Sequence, residues 1–183
     1  FDNRVGMALV IQAINILKDC EHAGTVYAVG TVQEEVGVRG ARTAVFGVNP
    51  DLAIVLEGSP ADDFPAIGED ERQGALGRGV QIRLMDPSAI MNKKLTRHLI
   101  DLANSSNTSY QIAVRKSGAT DARAIHLHGE GVPTAVLGVP ARYIHTHNCI
   151  IHVEDYLNAL NLVVEFLRSL DRGTADGFTA FLK

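Results

Sequence analysis

Five short β-rich runs alternate along the chain with stretches whose apolar residues recur at helical spacing, and that alternation confines the chain to few folds. The runs occupy residues 25–32, 52–56, 80–85, 110–114 and 134–139. Three of them are nearly continuous in apolar side chains, as a strand is when both faces of its sheet are covered. Helical patterns fall at residues 5–17, 40–46, 92–104, 120–128 and 153–170. The predicted fold class is therefore α/β, a three-layer α/β/α sandwich around a mostly parallel or mixed central sheet. With 183 residues and 46% hydrophobic side chains the chain can bury one substantial core, and one domain is expected. Residues 58–79, rich in Gly, Pro, Asp and Glu and lacking either period, read as a loop after a strand end, where an active-site rim would lie.

The net charge of −4 supplies no basic field for nucleic acid or an anionic membrane surface, so neither partner is expected. The apolar runs stop well short of the ~20 residues that cross a bilayer. Cys20 and Cys149 show no spacing of a disulfide framework or a zinc ribbon, and a reducing cytoplasm is the expected compartment. The chain opens without methionine and enters a helical pattern almost at once, as a piece cut from a longer protein would.

Ligands of open α/β sheets gather at the carboxyl ends of strands, so the polar residues that close the apolar runs are the candidates for chemistry. Residues 25–32 lead into Gln33-Glu34-Glu35, and residues 52–56 into Glu57. Adjacent carboxylates on an extended backbone point to opposite sides, which lets one hold a metal while the other handles a proton; a solvated surface pair is the plainer alternative. Residues 134–139 lead into Pro140 and then Arg142, Tyr143, His145 and His147. Imidazole beside hard carboxylates suits zinc, cobalt or manganese, although either histidine can equally be a hydrogen-bonded loop residue. Asp121 either caps the helix that starts at Ala122 or lines the pocket. His126 and His128 read as surface or packing residues, and His22, His98 and His152 have no partner motif.

Four ordered motifs resemble one family across nearly the whole chain. They are Asp2-Asn3-Arg4-Val5-Gly6, the stretch from Gln33-Glu34-Glu35 to Gly40-Ala41, Gly118-Ala119-Thr120-Asp121-Ala122, and Arg142-Tyr143-Ile144-His145. The resemblance is to the M42 metallo-aminopeptidases. It implies two divalent metal ions, with Asp2 bridging them, Glu35 and His145 completing one site, Glu57 serving the other, and Glu34 as general base. It also implies a cis peptide between Asp2 and Asn3. Asp121, Arg142 and Tyr143 become candidate substrate-binding residues. Glu57 stands where many relatives have aspartate, and Thr146-His147 where they have Ser-Pro.

In that family the last ligand of the second site is a histidine well upstream of the bridging aspartate, and a small β-rich domain is inserted between the two. Both would be missing here, which makes residues 1–183 the C-terminal portion of a catalytic domain, inactive when isolated. The implied protein is a cytoplasmic hydrolase that removes N-terminal residues from peptides and works as a homo-oligomer, a dodecamer being one expected form. A related amidohydrolase acting on blocked or glycan-linked substrates and a non-catalytic scaffold subunit are the alternatives.

Overall fold

Strand β5 (Thr134–Arg142) is buried along eight of its nine residues and organises the sheet. It pairs in parallel with β1 (Ala53–Pro60) and antiparallel with β2 (Val80–Asp86). β2 in turn takes β4 (Tyr110–Val114) in parallel and the two-residue β3 (Ala89–Ile90) antiparallel, and β6 (Ile150–Ile151) closes antiparallel on the end of β5. The sheet is mixed, as the strand composition predicts. The computed structural model describes residues 1–179.

Side chains alternate across β5 and so divide the core between two faces. Ala135, Leu137 and Val139 join Leu9 of α1 (Arg4–Leu17), Leu95 and Leu99 of α3 (Lys93–Ser105), and Leu162 and Phe166 of α5 (Val153–Ser169). Val136 faces the other way, with Val55, Met91 and Ala122 of α4 (Ala122–Ile125). The α2 helix (Arg39–Val48) packs on α4, and Phe178 of α6 (Arg172–Thr179) seals the first core beside His98 and Phe166. Helices thus cover both faces, giving the expected three layers. No helix among the described residues is long and apolar enough to cross a membrane.

Three expectations need correction. Residues 25–32 form no strand: they have no ladder partner among the described residues, and Tyr27, Val29 and Val32 are exposed. β-rich composition makes a strand only where a neighbouring backbone takes up its polar groups, and no neighbour does so here. The pattern at 120–128 yields only the four residues of α4, and Gly129 and Gly131 follow it at positive φ. Finally, β1 runs three residues beyond Glu57, so Glu57 lies inside a strand rather than after it, and the loop begins only after Pro60.

That loop is stapled along its length. Asp62 pairs with Arg115 at 2.6 Å, and Asp63 accepts two bonds from Arg142 and one from Leu76 N–H. The buried Asp155 carboxylate accepts from Gly77 N–H and Gly79 N–H at 2.8 and 2.6 Å. The pairing with Arg142 at the end of β5 brings the loop beside the turn that carries His145, as expected of a rim.

Candidate metal centre

Three side chains from distant parts of the sequence meet at the carboxyl end of β1 and β5. One ligand atom each of Asp2, Glu35 and His145 lies within 4.8 Å of the other two. His145 Nε2 stands 3.2 Å from Asp2 Oδ2 and 3.7 Å from Glu35 Oε1. Two carboxylates and an imidazole at this spacing make a donor set for a borderline divalent cation such as zinc, cobalt or manganese, so the residues present fit the ion that their types imply.

Local backbone geometry delivers each of them. Asp2 precedes α1 and is joined to Asn3 by a cis peptide, as the resemblance implies. Asn3 is the N-cap, its Oδ1 accepting from Gly6 N–H at 3.0 Å. The same Oδ1 accepts from Gly58 N–H, and Asn3 Nδ2 donates to Leu56 C=O at 2.8 Å. One side chain therefore lashes Asp2 to the residues on either side of Glu57. The approach is close enough that a Cβ on Gly6 would stand 2.2 Å from Leu56 O, so only glycine fits there.

Glu34 and Glu35 are not on extended backbone, contrary to the sequence reading. They occupy a tight turn in which Gly37 N–H and Val38 N–H both bond to Glu34 C=O, bracketed by positive φ at Gln33 and Val38. A β-branched residue at φ 50° is strained, and Gly40 N–H helps hold the turn by donating to Val32 C=O at 2.9 Å. His145 is presented by a second turn, with positive φ at both Tyr143 and His145.

The electrostatics are those of crowded carboxylates. Burial pushes the half-buried Glu34 up to about 7, helped by the charges of Asp121, Glu35 and Asp2 and opposed by His145. Burial pushes Glu57, 7% exposed, up to about 9; Glu34, Asp2 and Asp121 add to the rise, and Arg83 opposes it. Asp2 is raised by burial and by Glu35, and lowered in part by His145. Such a cluster calls for positive charge, and the protein supplies one cation of its own behind Glu57. The buried Arg83 donates to Ser59 Oγ at 3.1 Å and pairs with Asp86, which is itself held by Ser88 and by Ala89 N–H.

The remaining candidates fall around this group. Asp121 makes no capping bond; Thr120 Oγ1 takes Ala122 N–H instead, and Asp121 Oδ2 accepts from Thr31 Oγ1 at 2.5 Å. Arg142 is occupied by Asp63, and the exposed Tyr143 ring tilts against Phe64 at 5.6 Å. His147 is outside the close group and lines a cavity of about 770 Å³ with Phe1, Arg4, Ile151 and Tyr156. His128 bonds Asn49 at its ring, His98 packs on two phenylalanines, and both cysteines are free.

Asn3, Thr31 and Arg83 were not among the sequence candidates. The placement of Asn3 directly before a helical pattern is the signature of an N-cap and could have drawn notice. A threonine in a β-rich run and an arginine in an apolar strand carry no such signal.

Known proteins are similar to this chain in sequence and fold. The model of the M42 glutamyl aminopeptidase family fits residues 1–162. The glutamyl aminopeptidase of Lactococcus lactis subsp. cremoris (strain MG1363) is 39% identical over 171 residues, which are 93% of this chain and 47% of that protein. A crystal structure of a TET aminopeptidase from a marine sediment archaeon, Thaumarchaeota archaeon SCGC AB-539-E09, superposes with a TM-score of 0.95 at 39% identity, covering 97% of this chain and 50% of that one. The TET1 peptidase of Pyrococcus horikoshii, described as able to assemble into a tetrahedron or a large octahedral shell, superposes with a TM-score of 0.81 at 32% identity, over 92% of this chain and 48% of that one. The chain spans about half the length of the relatives it matches. On the family model and the site geometry together, the chain belongs to the M42 glutamyl aminopeptidase family.

Proposed function

We propose that the protein is a metal-dependent aminopeptidase, a hydrolase that removes N-terminal residues from peptides. The observation that carries this reading is the close group of Asp2, Glu35 and His145 beside a half-buried Glu34 whose carboxyl is pushed up to about 7. Membership of an aminopeptidase family supports the reaction class.

The chain spans about half the length of its relatives, so the activity is proposed for the complete protein. In this reading Asp2, Glu35, Glu57 and His145 would hold the divalent metal ions. Bound there, two divalent ions supply the positive charge that polarises the scissile carbonyl and acidifies a water molecule. Glu34 would take a proton from the attacking water and return it to the leaving amine. Asp2 and Glu35 are oriented by the Asn3 lash and by the 33–38 turn, which leaves little reorganisation for the reaction. Tyr143 contacts the substrate from the rim, Arg142 fixes that rim through Asp63, and Asp121 lines the floor near Glu34.

The same reading makes the protein a cytoplasmic homo-oligomer, which the free state of both cysteines and the assembling behaviour described for a relative support. Hydrolysis of aminoacyl reporters beside their N-acylated counterparts tests the reaction: release from the free-amine series is expected, and turnover of the acylated series alone would sink the aminopeptidase reading.

A further inference from the structure

The turn that presents Glu34 and Glu35 is carried by residues 25–32, which have no ladder partner among the described residues. Its backbone ties are local, from Gly37, Val38, Arg39 and Gly40 back to residues 32–34. Besides Glu35, which faces Asp2 and His145, a second side chain ties it to a distant element. Thr31, three residues before Glu34, donates its hydroxyl to Asp121 Oδ2 at 2.5 Å across 90 residues of sequence. That distance is at the short end of the range for a hydroxyl on a charged carboxylate.

Asp121 is well placed to act as an anchor. It is 7% exposed and starts α4, whose Ala122 is fully buried in the core with Val55 and Val136. Its role there is not capping, since Thr120 performs that, and its second oxygen, Oδ1, is buried without a hydrogen-bond partner. A carboxylate kept in this position at the expense of an unpaired oxygen, with Thr31 its only side-chain hydrogen-bond partner among the described residues, has a use beyond local folding.

We propose that Thr31 and Asp121 are positioning residues for the reaction: their hydrogen bond clamps the segment bearing Glu34 and Glu35 onto the end of α4 and sets the distance of both carboxylates from Asp2 and His145. This rests on the assignment of Glu34 and Glu35 given above; it adds Thr31 and gives Asp121, on the floor near Glu34, the task of holding that segment. A misplacement of about 1 Å that originates away from the chemistry can cost roughly 100-fold in rate. The Thr31 methyl and backbone would be kept in Thr31→Val, so the loss should be that of the hydroxyl alone.

The complete protein carrying Thr31→Val, Thr31→Ser, Asp121→Asn, or Thr31→Val with Asp121→Asn tests this by zinc affinity, measured against a competing chelator, and by steady-state kinetics on an aminoacyl reporter. Thr31→Val and Asp121→Asn should each weaken zinc binding and lower kcat roughly 10- to 100-fold with KM little changed. Thr31→Ser should restore most of both, and the double variant should be no worse than either single one. Wild-type zinc affinity in Thr31→Val, or losses that multiply in the double variant, would overturn the clamp. If the wild type hydrolyses no reporter yet Thr31→Val still loses zinc affinity, the clamp stands and the proposed function falls.

Discussion

His145 Nε2 lies 3.2 Å from Asp2 Oδ2, although the two residues are 143 positions apart in the sequence. Asp2 is fixed by the helix that follows it and His145 by a turn with two positive φ values. If their purpose is to share a cation, Asp2→Asn and His145→Ala should each reduce the metal bound by the complete protein, with zinc affinity falling at least roughly 10-fold. Chelator competition reads this directly, and unchanged affinity in both variants would remove them from the ligand set.

Glu34 is argued to move a proton and not to hold an ion. Glu34→Gln keeps its shape, so metal content should stay at the wild-type level while kcat falls by roughly 10²- to 10⁴-fold. A variant that keeps its rate would exclude Glu34 as the base; one that loses its metal would place it among the ligands instead.

Much of the fold was legible because β5 is apolar along most of its length and the helices packed around it are amphipathic. Residues 25–32 were misread because pairing is a property of two backbones, and one sequence run shows only half of it. Glu57 was read as a strand end because a carboxylate usually closes an apolar run; its place inside β1 comes from pairing with Gly138 of β5, 81 positions away, which no local pattern reveals. Asp2, Glu35 and His145 fall within three of the four motifs, whereas their spacing came only from the fold.

The carboxylate crowding has a measurable pH signature. Burial raises Glu57 to about 9 and Glu34 to about 7 from an ordinary 4.5, and Asp2 shifts in the same direction. Between the unfolded and folded values the native state binds protons that the unfolded chain has released, so stability falls as the pH rises through that window. Metal-free protein should melt at a lower temperature near pH 8 than near pH 5, Glu57→Gln should flatten the slope, and added zinc should reverse it. A melting temperature that rises with pH in the metal-free state would contradict the crowding.

Gly6 is where α1 presses on β1. A Cβ there would stand 2.2 Å from Leu56 O, whereas a Cβ on Gly24 would meet nothing within 4 Å. Gly6→Ala should lose about 1–3 kcal/mol of stability, with reduced metal binding because Asp2 moves with the helix. Gly24→Ala should stay within ~0.5 kcal/mol of wild type. Denaturant midpoints check both, and equal effects would show that the close approach is not what holds Asp2 against Glu57.

Elemental analysis of the complete protein, paired with cleavage of a panel of aminoacyl reporters before and after chelation, tests the central claim most directly. Two divalent ions per chain, with release of N-terminal residues that is lost on chelation and regained with zinc, cobalt or manganese, is the predicted result. Turnover that survives complete removal of metal, or no bound metal and no turnover, would contradict it.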